Sequence, residues 1–322
     1  MIQLPRSLKL IAVALALSSG LAHAQSYPNR PVKIVVPFAA GGPADNYARF
    51  MAQRLSDELK QPFVIDNKPG AGSIIGTDFA AKSPADGYTL LMMSNAHTVN
   101  ESLIPSKPFG LMKDFVGVAP VNSSNLLLVV HPSVPVKNVA ELVALAKSKP
   151  GKLNYASSGN GTPYHMAGEL FKHMAGINMT HIPYKGSSGA RTDIVGGQVD
   201  VMFDAETTMA EFARNGQVRM LGATGLTRST NLPDLPTVGE TVPKYEATIW
   251  LGIMTPKGTP ADIVNKLNAE MRKIVNNPDV KAAWAKQGAV PMSMTVAEFD
   301  QHLSADIAKW ANIVKVSGAK AD

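Results

Sequence analysis

The sequence predicts an α/β protein with mainly parallel sheets, divided into two domains. Short β-branched runs alternate with apolar residues at helical spacing along the whole chain, which is the pattern of strand–helix–strand units. The strand-like runs end in small or polar residues, as expected where a strand's C-terminal end meets a loop. With 322 residues, 45% of them hydrophobic and 17% charged, the chain can furnish two domains of ordinary size, each with its own core.

Val32 to Phe38 reads as a buried strand, and Asp45 then opens a helix with Tyr47, Met51, Leu55 and Leu59 on one face. Phe63 to Asp66 and Tyr88 to Met93 follow as strands, the first running into Pro69-Gly70-Ala71-Gly72 and the second into Ser94-Asn95. Leu126 to Val130 is another apolar run. Asn138 with Glu141 has the form of a capping box before Leu142, Leu145 and Ala146, and Pro150-Gly151 closes that helix.

Leu153 to Ala156 leads through Ser157-Ser158-Gly159-Asn160-Gly161 to Thr162, a good N-cap, and Pro163, which suits a first helical position; Met166, Leu170 and Met174 face the core. Ile182 to Tyr184 is a strand, Gly186-Ser187-Ser188-Gly189 opens a short helix, and Val199 to Phe203 is a strand ending at Asp204. The final third reads as mostly helical. Thr295 and Glu298 start its last helix, which carries Phe299, Leu303, Ile307, Trp310 and Val314. The loop from Thr227 to Tyr245, with Pro233, Pro236 and Pro243, is the candidate return crossing between domains, and the matching first crossing falls near Val121 to Val130.

The formal charge of +6 falls to +4 once Arg6 and Lys9 are removed with a leader that holds no acid, far from the basic field of a nucleic-acid binder. The absence of cysteine excludes disulfides, thiolate catalysis and cysteine metal sites together. Arg6 and Lys9 precede an apolar run from Leu10 to Leu17, and Ala22-His23-Ala24 then offers an A-x-A cleavage site. That run is too short to span a membrane, so residues 1–24 read as a signal peptide and the mature chain as starting near Gln25. No cysteine follows for lipid attachment.

Gly70-Ala71-Gly72 with Gly76 superficially matches a dinucleotide loop, but no ribose-binding acid ends a following strand, and a tight turn with close helix packing explains it better. There is no G-x-S-x-G elbow, Walker loop or HExxH. His165, His173 and His181 spread over a helix, its end and the next strand, which argues against a shared metal. Of these, His165 stays a site candidate because it sits in the first turn of a helix whose start is glycine-rich.

Three segments share one chemistry. Pro37 to Asp45 (including Phe38, Ala39, Ala40, Gly41 and Gly42), Ser157 to Pro163, and Gly186 to Gly189 each join a strand end to a helix start. Such junctions present free amides at the positive end of a helix dipole, and small residues let an anion approach them closely. Two or three converging would bind a carboxylate or phosphate without arginine.

At these residues the chain resembles the periplasmic solute receptors of the tripartite tricarboxylate transporter class, the Bug-type family. The matching segments are Tyr27-Pro28 to Val32, Pro37-Phe38 with Gly41-Gly42 and Asp45, Asp66 to Gly72, and Pro84 to Leu90. Pro150 to Tyr155, Ser158-Gly159 with Gly161-Thr162 and His165, and Tyr184-Lys185-Gly186 with Asp193 and Gly196-Gly197 extend the likeness over the mature chain.

The resemblance implies a type II periplasmic binding fold with two lobes, residues 25–124 with 246–322 and residues 125–245, closing on ligand at an interdomain cleft. It implies a carboxylate clamp formed by Phe38 to Gly42 and by Ser157, Ser158, Gly159, Gly161 and Thr162, walled by Ser94, Asn95 and Tyr184, Lys185 and Gly186, with Asp204 near the cleft. The ligand would be a small organic carboxylate handed to a membrane permease, with no cofactor, no metal and no nucleic acid, by a monomer in the periplasm. The chain departs from the family pattern at Ser73, where a glycine is common, and at Arg191, where an apolar residue is usual; Arg191, a lone arginine on a short helix, is expected to be solvated. A receptor feeding a sensor kinase would share the same clamp, and a secreted hydrolase is the enzyme alternative, without any nucleophile signature.

Overall fold

The computed structural model describes residues 27–317 and 319–320; the expected signal peptide lies outside the described residues. In chain order, β1 (Val32–Val36), α1 (Pro43–Leu59), β2 (Phe63–Asn67), α2 (Ile74–Ala81), β3 (Thr89–Ser94), α3 (Asn95–Leu103) and α4 (Leu111–Asp114) precede a 16-residue strand, β4 (Phe115–Val130). Then come α5 (Val139–Ser148), β5 (Asn154–Ser157), α6 (Pro163–Ala175), β6 (Thr180–Pro183), α7 (Ser187–Val195), β7 (Val201–Ala205), α8 (Glu206–Arg214) and β8 (Arg219–Ala223). The chain ends with β9 (Thr248–Pro256), α9 (Ala261–Asn276), α10 (Pro278–Ala285), β10 (Ala289–Pro291) and α11 (Val296–Ser317).

Among the described residues the strands follow the order β2-β1-β3-β9-β4-β7-β5-β6, with β8 and β10 also paired to β4. The α/β class is as expected, but the sheet is mixed rather than mainly parallel. β1 runs parallel to β2 and β3, and β5 to β6 and β7, with α1, α2, α6 and α7 as the crossover helices that parallel pairing needs. Between these parallel groups β4 and β9 run antiparallel to each other and to the strands beside them, β7 and β3.

β4 links the two groups because it is long enough to pair twice. Phe115 to Asn125 pairs with β9, and Leu126 to Val130 pairs with β7 and β8. Pro120 is tolerated because register shifts at Gly117/Ala119 and Pro120/Asn122 relieve the ladder of its missing N–H. The final third is therefore not mostly helical: Ile249 to Met254 is an apolar run whose length alone does not separate strand from helix, and tertiary pairing makes it strand.

The caps stand where the sequence puts them. Asn138 Oδ1 accepts from Glu141 N at 2.9 Å, and Thr162 caps α6 with Pro163 in its first turn. α11 lies across the β4–β9 junction, where glycines make room: a Cβ on Gly252 would meet Phe299 Cζ at 2.7 Å. In the loop before α2, a Cβ on Gly72 would meet Asn160 O at 2.1 Å, so these glycines serve close backbone packing. No helix among the described residues is long and apolar enough to cross a membrane.

Candidate functional site

Four helix starts line one small cavity. Its wall takes Pro43 and Ala44 from α1, Ser94 from the start of α3, Pro163 and Tyr164 from α6, and Ser187 from α7. Phe38, Ala39, Gly42, Ser158, Ile249 and Leu251 complete it. The volume is ≈ 20 Å³, the room one ordered water needs.

The four starts are not equivalent. Ser94 and Thr162 cap α3 and α6 with their own side chains. α1 and α7 start at Gly42 and Gly186, and neither has a side-chain cap. Their first-turn amides therefore keep their donors for an anion, and Pro43, which lacks one, costs the site nothing. The two uncapped starts also touch: a Cβ on Gly186 would lie 2.8 Å from the Ala39 Cβ, and one on Gly42 would lie 3.1 Å from Ser187 Oγ.

Asp45 shapes the first loop rather than lining the cavity. Its carboxylate accepts from Gly41 N at 3.0 Å, Arg49 Nε at 2.9 Å and Asn67 Nδ2 at 2.9 Å. Burial would raise its pKa, but these donors outweigh burial and hold the carboxyl below its ordinary value. Asn67 Nδ2 also donates to Phe38 O at 3.2 Å, tying both ends of the loop to one amide, while Ala40 and Gly41 remain exposed at its tip.

Of the second loop only Ser158 faces the cavity. Ser157 Oγ turns inward, accepting from Gly159 N at 3.1 Å and contacting His181 Nε2 at 2.7 Å. Thr162 Oγ1 donates to Gly159 O at 2.7 Å, and Gly161 N donates to His165 Nδ1 at 3.1 Å. His165 in turn stacks on His181, with ring centroids 4.2 Å apart. These residues fix the loop that presents Ser158. Gly159 and Gly161 have φ of +122° and +73°, where a side chain would be strained.

Behind α7 the expectation for Arg191 is overturned. The residue is 8% exposed, with Nε 3.0 Å from Asp204 Oδ2 at an angle that is not a hydrogen bond, and its terminal nitrogen donates to Gly41 O at 2.9 Å. A buried acid at the end of β7 is what draws a lone arginine inward. Burial pushes Asp204 up to about 6, against the lowering pull of Arg191 and the Ala205 amide. Asp204 thus serves the wall through Arg191. Tyr164 is also buried; its hydroxyl neighbours Asp204 and Ser187 but meets neither at hydrogen-bonding geometry.

His97, which sequence reasoning did not select, holds Ser94. His97 Nε2 lies 2.9 Å from Thr77 Oγ1, and Nδ1 lies 3.0 Å from Ser94 O and 3.2 Å from Ser94 N, so the ring ties the start of α3 to α2. Burial lowers its pKa to about 4, which keeps the ring neutral. Asn95 points away from the cavity, its amide bonding Thr248 O at 2.9 Å to anchor β9. Tyr184 and Lys185 face a separate cavity with Gly72, Ile74 and Lys107.

Pro43, Ala44, Pro163 and Ser187 line the cavity from within the three junction segments, although none of them was singled out, and Tyr164, Ile249 and Leu251 lie outside those segments. Tyr164 follows from the junction before α6, since residues one or two past a helix start face what its amides face. Ile249 and Leu251 needed β9 to be read as strand, where alternate residues share a face. Among the described residues no three acidic, histidine or cysteine side chains are placed to hold a metal ion.

Residues 47–319 match the model of the tripartite tricarboxylate transporter family receptor. Protein BugT of Bordetella pertussis is 37% identical over 321 residues, covering 98% of each chain. Among solved structures, Rpa4515 of R. palustris with adipate is 34% identical with a TM-score of 0.89, covering 91% of this chain and 99% of its own. MatC of Rhodopseudomonas palustris with bound malate is 30% identical with a TM-score of 0.85, covering 89% and 100%.

Proposed function

The chain belongs to the tripartite tricarboxylate transporter receptor family, and from that membership we propose that it captures a small organic carboxylate in the periplasm and delivers it to a membrane permease. The observation that carries this reading is the convergence of two uncapped helix starts, at Gly42 and Gly186, on one buried cavity. Unpaired amides at the positive ends of two helices compensate a carboxylate in a desolvated site without a cation. The adipate and malate held by two structural relatives are both carboxylates.

We read residues 25–124 with 246–322 as one lobe and residues 125–245 as the other, joined where β4 and β9 pass between them. The lobes open to admit the ligand and close over it. The carboxylate sits between the Ala39 to Gly42 loop, Ser158 and Ser187. Asp45, Ser157, Thr162, His165 and Asp204 hold those groups in place from behind. The basic residues and apolar run before Ala22-His23-Ala24 support export of the chain.

The test is thermal melting of the refolded protein, freed of copurified ligand, against mono-, di- and tricarboxylates, amino acids and aromatic acids. A ligand at about 100 times its Kd adds roughly 2.7 kcal/mol and raises the melting point by several degrees. Small-angle scattering with the same ligand shows contraction. Silence across the panel, or turnover of ester substrates, would overturn the reading.

A further inference from the structure

Arg191 makes two kinds of contact. Asp204 Oδ2 lies 3.0 Å from its Nε, Ser187 Oγ accepts from its Nη2 at 3.3 Å, and the Phe212 ring covers the guanidinium at 5.9 Å. All three partners belong to residues 125–245, the lobe that carries Arg191 itself. The carbonyl of Gly41, which accepts from Nη2 at 2.9 Å, belongs to the other lobe. When the lobes part, the first three contacts travel with Arg191, whereas the fourth exists only while the lobes are together.

The crossing bond joins groups that are both held in place. Gly41 N donates to Asp45 Oδ2 at 3.0 Å within its own lobe, so the carbonyl is presented by an anchored loop. The same loop meets the start of α7 closely, since a Cβ on Gly186 would lie 2.8 Å from the Ala39 Cβ. Elsewhere Asn231 Nδ2 also crosses between the lobes, to Lys286 O at 2.7 Å, but that bond is exposed and water replaces it at little cost. Arg191 is 8% exposed and its donor is charged, which makes the bond to Gly41 the stronger one. Arg191 is not among the residues lining the cavity.

We propose that Arg191 is a positioning residue that latches the closed cleft, its bond to Gly41 O favouring closure over a bound acid without touching the acid. The inference rests on the carboxylate-receptor reading and its two lobes. An acid held behind this bond leaves only after it breaks, and an acid facing a less populated closed state binds more weakly by the same factor. Because the latch touches no part of the acid, that factor is common to every acid over which the lobes close.

The test is stopped-flow tryptophan fluorescence of the full mature protein and of Arg191→Lys with malate, adipate, citrate and benzoate. Lysine keeps the charge that Asp204 requires, but its single nitrogen cannot serve Asp204 and Gly41 O together as Nε and Nη2 do. In Arg191→Lys the dissociation rate is expected to rise about tenfold for each acid that binds, with the association rate little changed. The double variant Arg191→Leu with Asp204→Asn removes the bond without leaving a buried charge, and should give the same rise; it decides alone if Arg191→Lys does not fold. A dissociation rate unaltered in the variants, or a loss that differs from acid to acid as a direct contact would make it, would overturn the latch and leave the receptor reading intact. A lower melting point with unaltered binding kinetics, the mark of a merely structural role, would overturn it as well. Failure of every acid in the melting panel to bind the wild type would instead remove the receptor reading, and the latch with it.

Discussion

Arg191 Nε lies 3.0 Å from Asp204 Oδ2, and the same guanidinium donates to the carbonyl of Gly41, 150 residues earlier in the chain. A single buried side chain thus joins the helix α7, the end of β7 and the loop before α1, the groups that surround the carboxylate seat. Asp204 is fully buried, so removing its partner leaves a charge with neither water nor a cation. Arg191→Leu is expected to cost about 3–5 kcal/mol in urea denaturation, and adding Asp204→Asn to recover most of that loss. Equal stabilities for the single variant and the wild type would show that the pair contributes nothing.

Gly186→Ala tests the contact between the two uncapped helix starts. The φ of Gly186 is 167°, extended backbone that alanine adopts freely, so the effect is purely the close approach to Ala39. Overpacking of about 1–3 kcal/mol in the closed arrangement corresponds to a loss in affinity of roughly tenfold or more for whichever carboxylate the melting panel identifies. Calorimetry that returns wild-type affinity would mean that the loops separate without consequence for binding.

Asp45→Ala removes the acceptor shared by Gly41 N, Arg49 Nε and Asn67 Nδ2. The orphaned donors cost about 1–3 kcal/mol, and the loop from Phe38 to Gly42 loses the anchor that sets its shape. Melting should show a moderate fall in stability and calorimetry a larger fall in affinity. Loss of stability with affinity unchanged would place Asp45 outside the site's support.

The pH dependence of the site runs through His97. Its folded pKa of about 4 lies below the ordinary 6.5, so the neutral ring contributes stability above pH 6.5 that is lost as pH falls through 4. The shift corresponds to about 3 kcal/mol over that window. Asp204 acts with the opposite sign: raised to about 6, it contributes below pH 3.8, and that contribution is lost as pH rises through 6. Comparing wild type with His97→Gln isolates the histidine, because Asp204 is common to both. Urea melts at pH 7 and pH 4.5 should show the wild type losing more stability than the variant, and ligand affinity falling with it, since Ser94 lines the cavity. Parallel losses would contradict a buried neutral His97.

Much of this was legible in the residues. Thr162-Pro163 and Asn138 with Glu141 announce helix starts through local chemistry that tertiary context seldom overrides, whereas α1 starts at Pro43, two residues before the Asp45 start expected. The glycines at 41, 159 and 161 occupy left-handed backbone, and their clustering before helices marked the loops correctly. The antiparallel placement of β9 was not legible, because an apolar run carries no sign of its partner's direction. Nor was the burial of Arg191 or the use of Asn95 to hold β9: in each case a partner, Gly41 or Thr248, is distant in sequence and only the fold brings it near. Site residues that act from behind, Asp45 and His165 among them, share loops with those that face the cavity, and sequence position does not say which way a side chain turns.

Whether two uncapped helix starts hold the carboxylate is decided by a crystal structure of the protein with an acid identified by the melting panel. The carboxylate is expected between the first-turn amides of α1 and α7, with Ser158 alongside and no arginine or lysine in contact. A ligand seated instead in the cavity bounded by Tyr184, Lys185 and Gly72, or a carboxylate paired directly with Arg191, would contradict it.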